Sequence, residues 1–261
     1  MMKNYPMKMR PVSKEILWGG DRLKKRYNKE APFAKLAESW ELTVRDDGMS
    51  VIDNGDYTGM TLLEYLRHAP DALSATRTMD PEQFPLLIKF IDAHDDLSIQ
   101  VHPDDEYARI HENSSGKMEM WYIVEAEEGA RLVYGLRDGC TAEEFANAVT
   151  ADQIESVLRY VPVHAGECYF IPSGQIHAIG AGCLIAEIQQ NCNITYRVFD
   201  YRRKQADGTL RRLHIEEALD VVKVRTDAEV DAIRYAQKPA VPGLLCACPY
   251  FSVERYICTH D

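Results

Sequence analysis

Three short segments of this 261-residue chain carry nitrogen and oxygen groups at spacings suited to holding one cation. In Ser98-Ile99-Gln100-Val101-His102, side chains two apart leave a strand on the same face. Ser98, Gln100 and His102 therefore share one side, while Ile99 and Val101 take the other. Lys117 and Glu119 form a second same-face pair in Gly116-Lys117-Met118-Glu119-Met120-Trp121. The third segment, Gly166 to His177, reads as a strand, a tight turn at Pro172-Ser173-Gly174, and a histidine entering the next strand. Two imidazoles, a carboxylate and an amide oxygen make a mixed N/O set without thiolate. Such a set suits Zn2+ or another divalent ion with positions left open for a substrate. Arg197 adds a cation in Thr195-Tyr196-Arg197-Val198-Phe199, a β-prone and partly apolar run. A guanidinium there is costly unless it faces a polar pocket or an anion.

The elements that must position these groups are mostly short strands. Candidates cover 85–91, 97–102, 119–124, 131–134, 167–171 and 184–188, with turn residues between them, including Asp104-Asp105, Glu128-Gly129 and Gly180-Ala181-Gly182. Capping boxes announce helices. Thr61 with Glu64 opens a stretch ending near Ala69-Pro70, and Thr141 with Glu144, then Thr150 with Gln153, open two more running to about Arg159. Residues 214–224 read as another short helix. Many strands with few helices between them favour an antiparallel sandwich or barrel, the helices being insertions and flanks. A last β-like run, Tyr250 to Ile257, is expected to join a sheet already formed.

With 46% hydrophobic and 27% charged residues, the chain can bury a large core and is not intrinsically disordered. No run of about 18 uncharged apolar residues predicts a membrane span. The opening Met1 to Pro6 has no apolar stretch behind its charge, so it does not read as a secretory signal. Thirty basic against 41 acidic residues, a formal charge of −11, argue against nucleic-acid binding, although a few local cations can still serve an anionic small substrate. Seven cysteines without a CxxC pair read as reduced thiols of a cytoplasmic protein, not a disulfide framework. Other polar groups take plainer readings. His94-Asp95-Asp96 is a solvated turn, and His68, His111, His164, His214 and His260 are surface or structural residues. Arg202-Arg203-Lys204 and Arg211-Arg212 flank a solvated hairpin around Asp207-Gly208, and Cys246-Ala247-Cys248 is not a metal pair.

The G-x5-P-x-G-x2-H spacing of residues 166–177 matches the second motif of the cupin superfamily. From about Pro11 onward the chain resembles the type I mannose-6-phosphate isomerases, particularly their short bacterial form. The resemblance rests on Leu17-Trp18-Gly19-Gly20, Glu38-Ser39-Trp40-Glu41, Leu86 to Phe90, Leu97 to Asp105, Gly116 to Trp121, Ala186 to Asn191 and Thr195 to Tyr201. The QxHPD segment followed by KxEMW is specific, since generic cupins use HxH there. The resemblance implies a mainly β, cupin-type (jelly-roll) barrel with helical insertions near 61–70 and 141–160. Residues 1–240 would form the catalytic domain, and 241–261 the start of a C-terminal β segment, short relative to the family. It also implies one divalent metal, Zn2+, held by Gln100, His102, Glu119 and His177. Catalytic roles fall on Arg197, Glu187 and Lys117, with Glu187 and Arg197 ten residues apart as in the family. Substrate contacts fall on Ser98, Trp18 and Lys89. Larger members often have a histidine just before the lysine, where this chain has Gly116, so no proton-relay role is assigned there.

The implied reaction interconverts mannose 6-phosphate and fructose 6-phosphate by moving a proton between C2 and C1 through an enediol. It requires a base, a cation at the developing enediolate and cations for the phosphate. Glu187, desolvated among Ile185, Ala186 and Ile188, is suited to accept and return the proton. A divalent metal would polarise the sugar oxygens, and Arg197 and Lys117 supply fixed positive charge. No glycine-rich phosphate loop is present, so phosphate recognition must rest on side chains. The expected partner is a phosphorylated hexose, with no nucleic acid and no membrane; the sequence leaves the oligomeric state open. Two rival readings remain at this level. One is a metal-holding sugar-phosphate binding or regulatory cupin without turnover, suggested by the short carboxyl end. The other is an Fe(II) cupin dioxygenase, against which the QxH, E and H set argues.

Overall fold

The computed structural model describes residues 5–73, 80–236 and 243–258. The period-2 runs collect into two main antiparallel sheets. One contains Val12–Lys14 (β1), Glu38–Leu42 (β2), Leu86–Asp92 (β3), Glu119–Ala126 (β5), Cys168–Ile171 (β8) and Cys183–Gln190 (β10), in the order β8-β5-β10-β3-β2-β1. The other contains Ile99–Val101 (β4), Arg131–Leu136 (β6), Leu158–Pro162 (β7), His177–Ile179 (β9) and Tyr196–Phe199 (β11), in the order β7-β6-β9-β4-β11. Between them lies a buried core of Ile91, Trp121, Ile123 and Ile185 from the first sheet and Leu132, Tyr134 and Ile179 from the second. This is the two-sheet jelly-roll form of a cupin-type fold, not one closed ladder.

Both outer faces are also covered. Ile99, Val101, Val133 and Val198 of the five-stranded sheet pack under Phe145 of helix α4 (Ala142–Thr150) and under Ala218 and Val221 of α5 (Ile215–Val221). The apolar side of β4 is thereby spent on helices, and its polar side must face inward. Across the molecule, Met120 and Phe170 meet Cys246 and Phe251 of a hairpin, Leu244–Ala247 (β12) with Ser252–Glu254 (β13). Burial on both faces explains why β5 is almost continuously apolar. Among the described residues, no helix is long and apolar enough to cross a membrane.

The capping boxes of Thr61 and Thr141 form as expected and open α2 (Leu62–His68) and α4. The third does not. Thr150 is the last residue of α4 and its Oγ1 donates to the Ala146 carbonyl at 2.9 Å. After a single 3-10 turn at Ile154–Val157, the chain becomes β7, because Leu158 pairs with Leu136. The helical part of the second insertion thus ends near 150 and not near 160. Three helices lacked a recognised signal: α1 (Arg22–Tyr27), α3 (Asp105–His111) and α6 (Asp227–Ala236). Asp104, read as a turn residue, caps α3 by accepting from Tyr107 N. The final strand also differs from expectation. It pairs with its own neighbour β12, Ala247 opposite Ser252, and among the described residues it joins no earlier sheet ladder.

The Leu17-Trp18-Gly19-Gly20 motif has a packing cause. A Cβ on Gly19 would lie 2.6 Å from Ala37 Cβ, and one on Gly20 would lie 2.5 Å from Asp92 Oδ2. Asp92 is fully buried and accepts from both Arg22 N and Arg22 Nε at 2.7 Å. Only glycine lets the chain pass this close to a buried ion pair.

Candidate active site

Strand register brings the chemical groups into two facing rows. On the five-stranded sheet, β4 lies between β9 and β11, so Gln100 stands opposite His177 on one side and Arg197 on the other. On the six-stranded sheet, Trp121, Glu187, Lys89 and Trp40 form a continuous cross-strand row. Residues directly opposite in antiparallel strands project to the same face. Together the rows wall a cleft of about 570 Å³, lined by Trp18, Lys89, Ser98, Gln100, Lys117, Glu187 and Arg197. His102, Glu119 and His177 lie buried beside it.

His102 and His177 direct their Nε2 atoms at each other, 3.1 Å apart. Glu119 Oε1 is 3.3 Å from His177 Nε2, Glu119 Oε2 is 3.5 Å from His102 Nε2, and the Gln100 amide nitrogen, Nε2, is 3.4 Å from His177 Nε2. His177 Nδ1 donates to the Gln175 carbonyl at 2.8 Å, which fixes the tautomer and leaves the Nε2 lone pair facing the cluster. Burial, then Lys117, holds the His102 pKa down at about 3, and burial lowers that of His177. Burial alone would raise Glu119, but Lys117 and the two histidines outweigh it and hold the carboxyl well below its usual range. Neutral imidazoles and an ionised carboxylate are the forms that bind metal. Lys117 Nζ lies 2.8 Å from Glu119 Oε2 as an ion pair and 3.0 Å from His102 Nε2. Even so, neither carboxylate oxygen receives a hydrogen bond of good geometry. Converging lone pairs and an orphaned carboxylate fit a divalent cation. Among the described residues, no other group of three His, Cys, Asp or Glu side chains converges in this way.

On the opposite wall, Trp121 Nε1 donates to Glu187 Oε2 at 2.8 Å, and Lys89 Nζ lies 3.0 Å from Glu187 Oε1. Lys89 also lies 3.5 Å from Glu38 Oε2, which accepts from Trp40 Nε1 at 2.6 Å. Burial, reinforced by Glu119, raises the Glu187 pKa despite the two lysines. Burial would lower that of Lys89, but Glu187 and Glu38 reverse the shift, so the ammonium keeps its charge.

Arg197 is held differently. Its Nε donates to Ser98 Oγ at 3.2 Å and its Nη1 to the Arg212 carbonyl at 3.0 Å. Among the described residues, no carboxylate lies within 4.0 Å of it. Burial, then neighbouring Arg211, lowers its pKa. The cleft also contains residues that the sequence reading set aside. The hairpin around Asp207-Gly208 is present, with Lys204 bridged to Leu210, but Arg211, Arg212 and His214 on its return arm line the cleft. His214 keeps a structural contact, its Nδ1 accepting from Arg197 N at 3.3 Å, and also lines the cleft. The available signal was the density of arginines following Arg197. Glu38 belonged to a quoted motif, yet only the fold reveals its contact with Lys89. The other discounted groups keep their plain readings where they are described. His68 bonds the Glu64 carbonyl, His111 stacks on Tyr107, His164 is exposed, and no cysteine cluster forms; His260 lies outside the described residues.

Comparisons with known proteins find relatives of this chain. A family model described as "Phosphomannose isomerase type I, catalytic domain" matches residues 7–130. Mannose-6-phosphate isomerase ManA of Bacillus subtilis is 38% identical over 257 residues, covering 98% of this chain and 80% of that protein. A mannose-6-phosphate isomerase of Streptococcus mutans is 36% identical over 251 residues, covering 96% and 78%. The crystal structure of the mannose 6-phosphate isomerase from Bacillus subtilis superposes with a TM-score of 0.83 at 32% identity, covering 95% of this chain and 79% of that one.

Proposed function

The chain belongs to the type I phosphomannose isomerases, and from that premise we infer that it interconverts mannose 6-phosphate and fructose 6-phosphate through an enediol. It is a metal-dependent aldose–ketose isomerase. The observation that carries the assignment of roles is one cleft that brings together three features: the His102, Glu119 and His177 cluster buried beside it with Gln100 on its wall, the Lys89–Glu187 pair, and a guanidinium without a carboxylate partner among the described residues.

Moving a proton between C2 and C1 calls for a base that can hold it in between. In our reading Glu187 takes that role, because its raised pKa brings proton uptake closer to neutral pH and Trp121 fixes the carboxylate plane. Lys89, charged and 3.0 Å away, offsets negative charge gathering beside that carboxylate. Gln100, His102, Glu119 and His177 would hold one divalent ion, Zn2+ by their N/O character, supplying Lewis-acid polarisation of the sugar oxygens when bound. Lys117 and Arg197 bring positive charge to opposite parts of the substrate, and Ser98 and Trp18 line its site. Residues 1–240 would be the catalytic unit and 241–261 the start of a C-terminal β segment, of which the described hairpin residues Cys246 and Phe251 pack on the outer sheet face. We place the protein in the cytoplasm, where its free thiols would stay reduced.

A coupled assay that follows fructose 6-phosphate formation from mannose 6-phosphate tests this. Stripping metal should abolish turnover and Zn2+ should restore it; zinc-loaded protein that never turns over would refute the reading.

A further inference from the structure

Asp200 is a buried carboxylate outside the cleft lining, yet it holds part of the cleft's rim in place. It accepts from Arg203 Nη2 at 2.6 Å and from Arg211 Nε at 2.6 Å, and Arg211 Nη2 closes a second bond to the same carboxylate. Such a two-pronged pair fixes both the position and the plane of a guanidinium. Arg211, so fixed, lines the cleft. The carbonyl of the next residue, Arg212, receives Arg197 Nη1 at 3.0 Å. One carboxylate therefore organises a segment that places two guanidinium groups in one cleft, while Arg203 and Arg211 both pair with its single negative charge and Arg197 has no ion pair among the described residues.

We propose that Asp200 is a positioning residue for the phosphate end of the substrate, aiming Arg211 into the cleft and, through the Arg212 carbonyl, steadying Arg197. This rests on the isomerase reading above, since a sugar phosphate is the anion that reading supplies. Like charges at close quarters repel, and the lowered pKa of Arg197 records that burial and Arg211 strain its charged form. A dianion with several acceptor oxygens relieves both at once.

The proposal separates cleanly from simple charge effects. Asp200→Asn makes the rim more positive, so electrostatics acting through space alone would tighten anion binding. If aim dominates, binding weakens instead. The test uses the metal-loaded full chain and titrates inorganic phosphate by calorimetry, with KM and kcat for mannose 6-phosphate measured alongside. Asp200→Asn should weaken phosphate binding about tenfold, the scale of one charge-assisted hydrogen bond. KM should rise in parallel while kcat stays within about threefold, and Asp200→Glu should recover part of the loss. Unchanged or tighter phosphate binding in Asp200→Asn would overturn the proposal. Should that variant fail to fold, Arg211→Lys keeps the charge but not the fork; an unaltered phosphate affinity there would overturn it equally. Failure of the isomerase reading shows differently, as wild-type protein that binds phosphate but does not turn over.

Discussion

Replacing Arg197 with methionine keeps the apolar stem and removes only the charge and its donors. The structure sets what is lost. Arg197 gives hydrogen bonds to Ser98 Oγ and the Arg212 carbonyl, and it has no carboxylate partner among the described residues. The two lost bonds to a charged donor, each worth about 1.5–3 kcal/mol, are opposed by relief of a half-buried cation that has no carboxylate partner among the described residues, a smaller cost because the cleft leaves it partly solvated. Thermal stability should therefore fall, by a few degrees at most. Catalysis should respond far more. Loss of one positioned electrostatic group costs about 2.7–4 kcal/mol of barrier, or roughly 100- to 1000-fold in rate. Steady-state kinetics on folded, metal-loaded Arg197→Met should show this in kcat/KM, a kcat component reporting charge stabilised in the transition state and a KM component reporting phosphate held in the ground state. Arg197→Lys should recover little, because an ammonium cannot bond Ser98 and the Arg212 carbonyl in the same planar geometry. A kcat/KM near wild type in Arg197→Met, with metal retained, would refute the reasoning and shift the search to Lys117 or Lys89.

Further outcomes are expected. His102→Ala and His177→Ala should each lose most of the bound ion by elemental analysis; full occupancy in both would remove the ligand assignment. Phe251→Ala should lower stability by about 3 kcal/mol, because Phe251 is packed with Met120, Phe170 and Cys246 on the outer face of the six-stranded sheet, and leave kcat unaltered. Deleting the residues after Pro249 should lower the melting temperature likewise, whereas lost activity at an unchanged melting temperature would contradict a structural role for the hairpin. His214 should titrate below the usual histidine range by NMR, since burial and the charges of Arg197 and Arg212 outweigh Glu217. Its folded pKa being depressed, its contribution to stability is full above about pH 6.5 and is lost as pH falls below that. Arg197→Met should move the His214 pKa upward, and a downward shift would contradict the proximity of the two charges.

Much of the candidate metal cluster was legible because its rules are local. A strand's two-residue period alone puts Ser98, Gln100 and His102 on one face and pairs Lys117 with Glu119, and the turn at Pro172-Ser173-Gly174 delivers His177. The capping boxes at Thr61 and Thr141 are equally local and formed. Thr150 with Gln153 has the same residue types but sits where α4 already occupies Thr150, so the pattern had no helix to open.

What periodicity cannot state is which strand becomes a neighbour. That Gln100 lies between His177 and Arg197, and that Glu187 meets Trp121 on one side and Lys89 on the other, was decided by tertiary pairing. The same holds for the turn of Arg211 inward to Asp200, for Glu38 reaching Lys89, and for the pairing of β13 with β12. Each joins segments whose local patterns are satisfied by many partners. The choice among them rests on burying both faces of two sheets at once. The sequence by itself determined which faces carry the chemistry; only the closed core determined which of those faces meet.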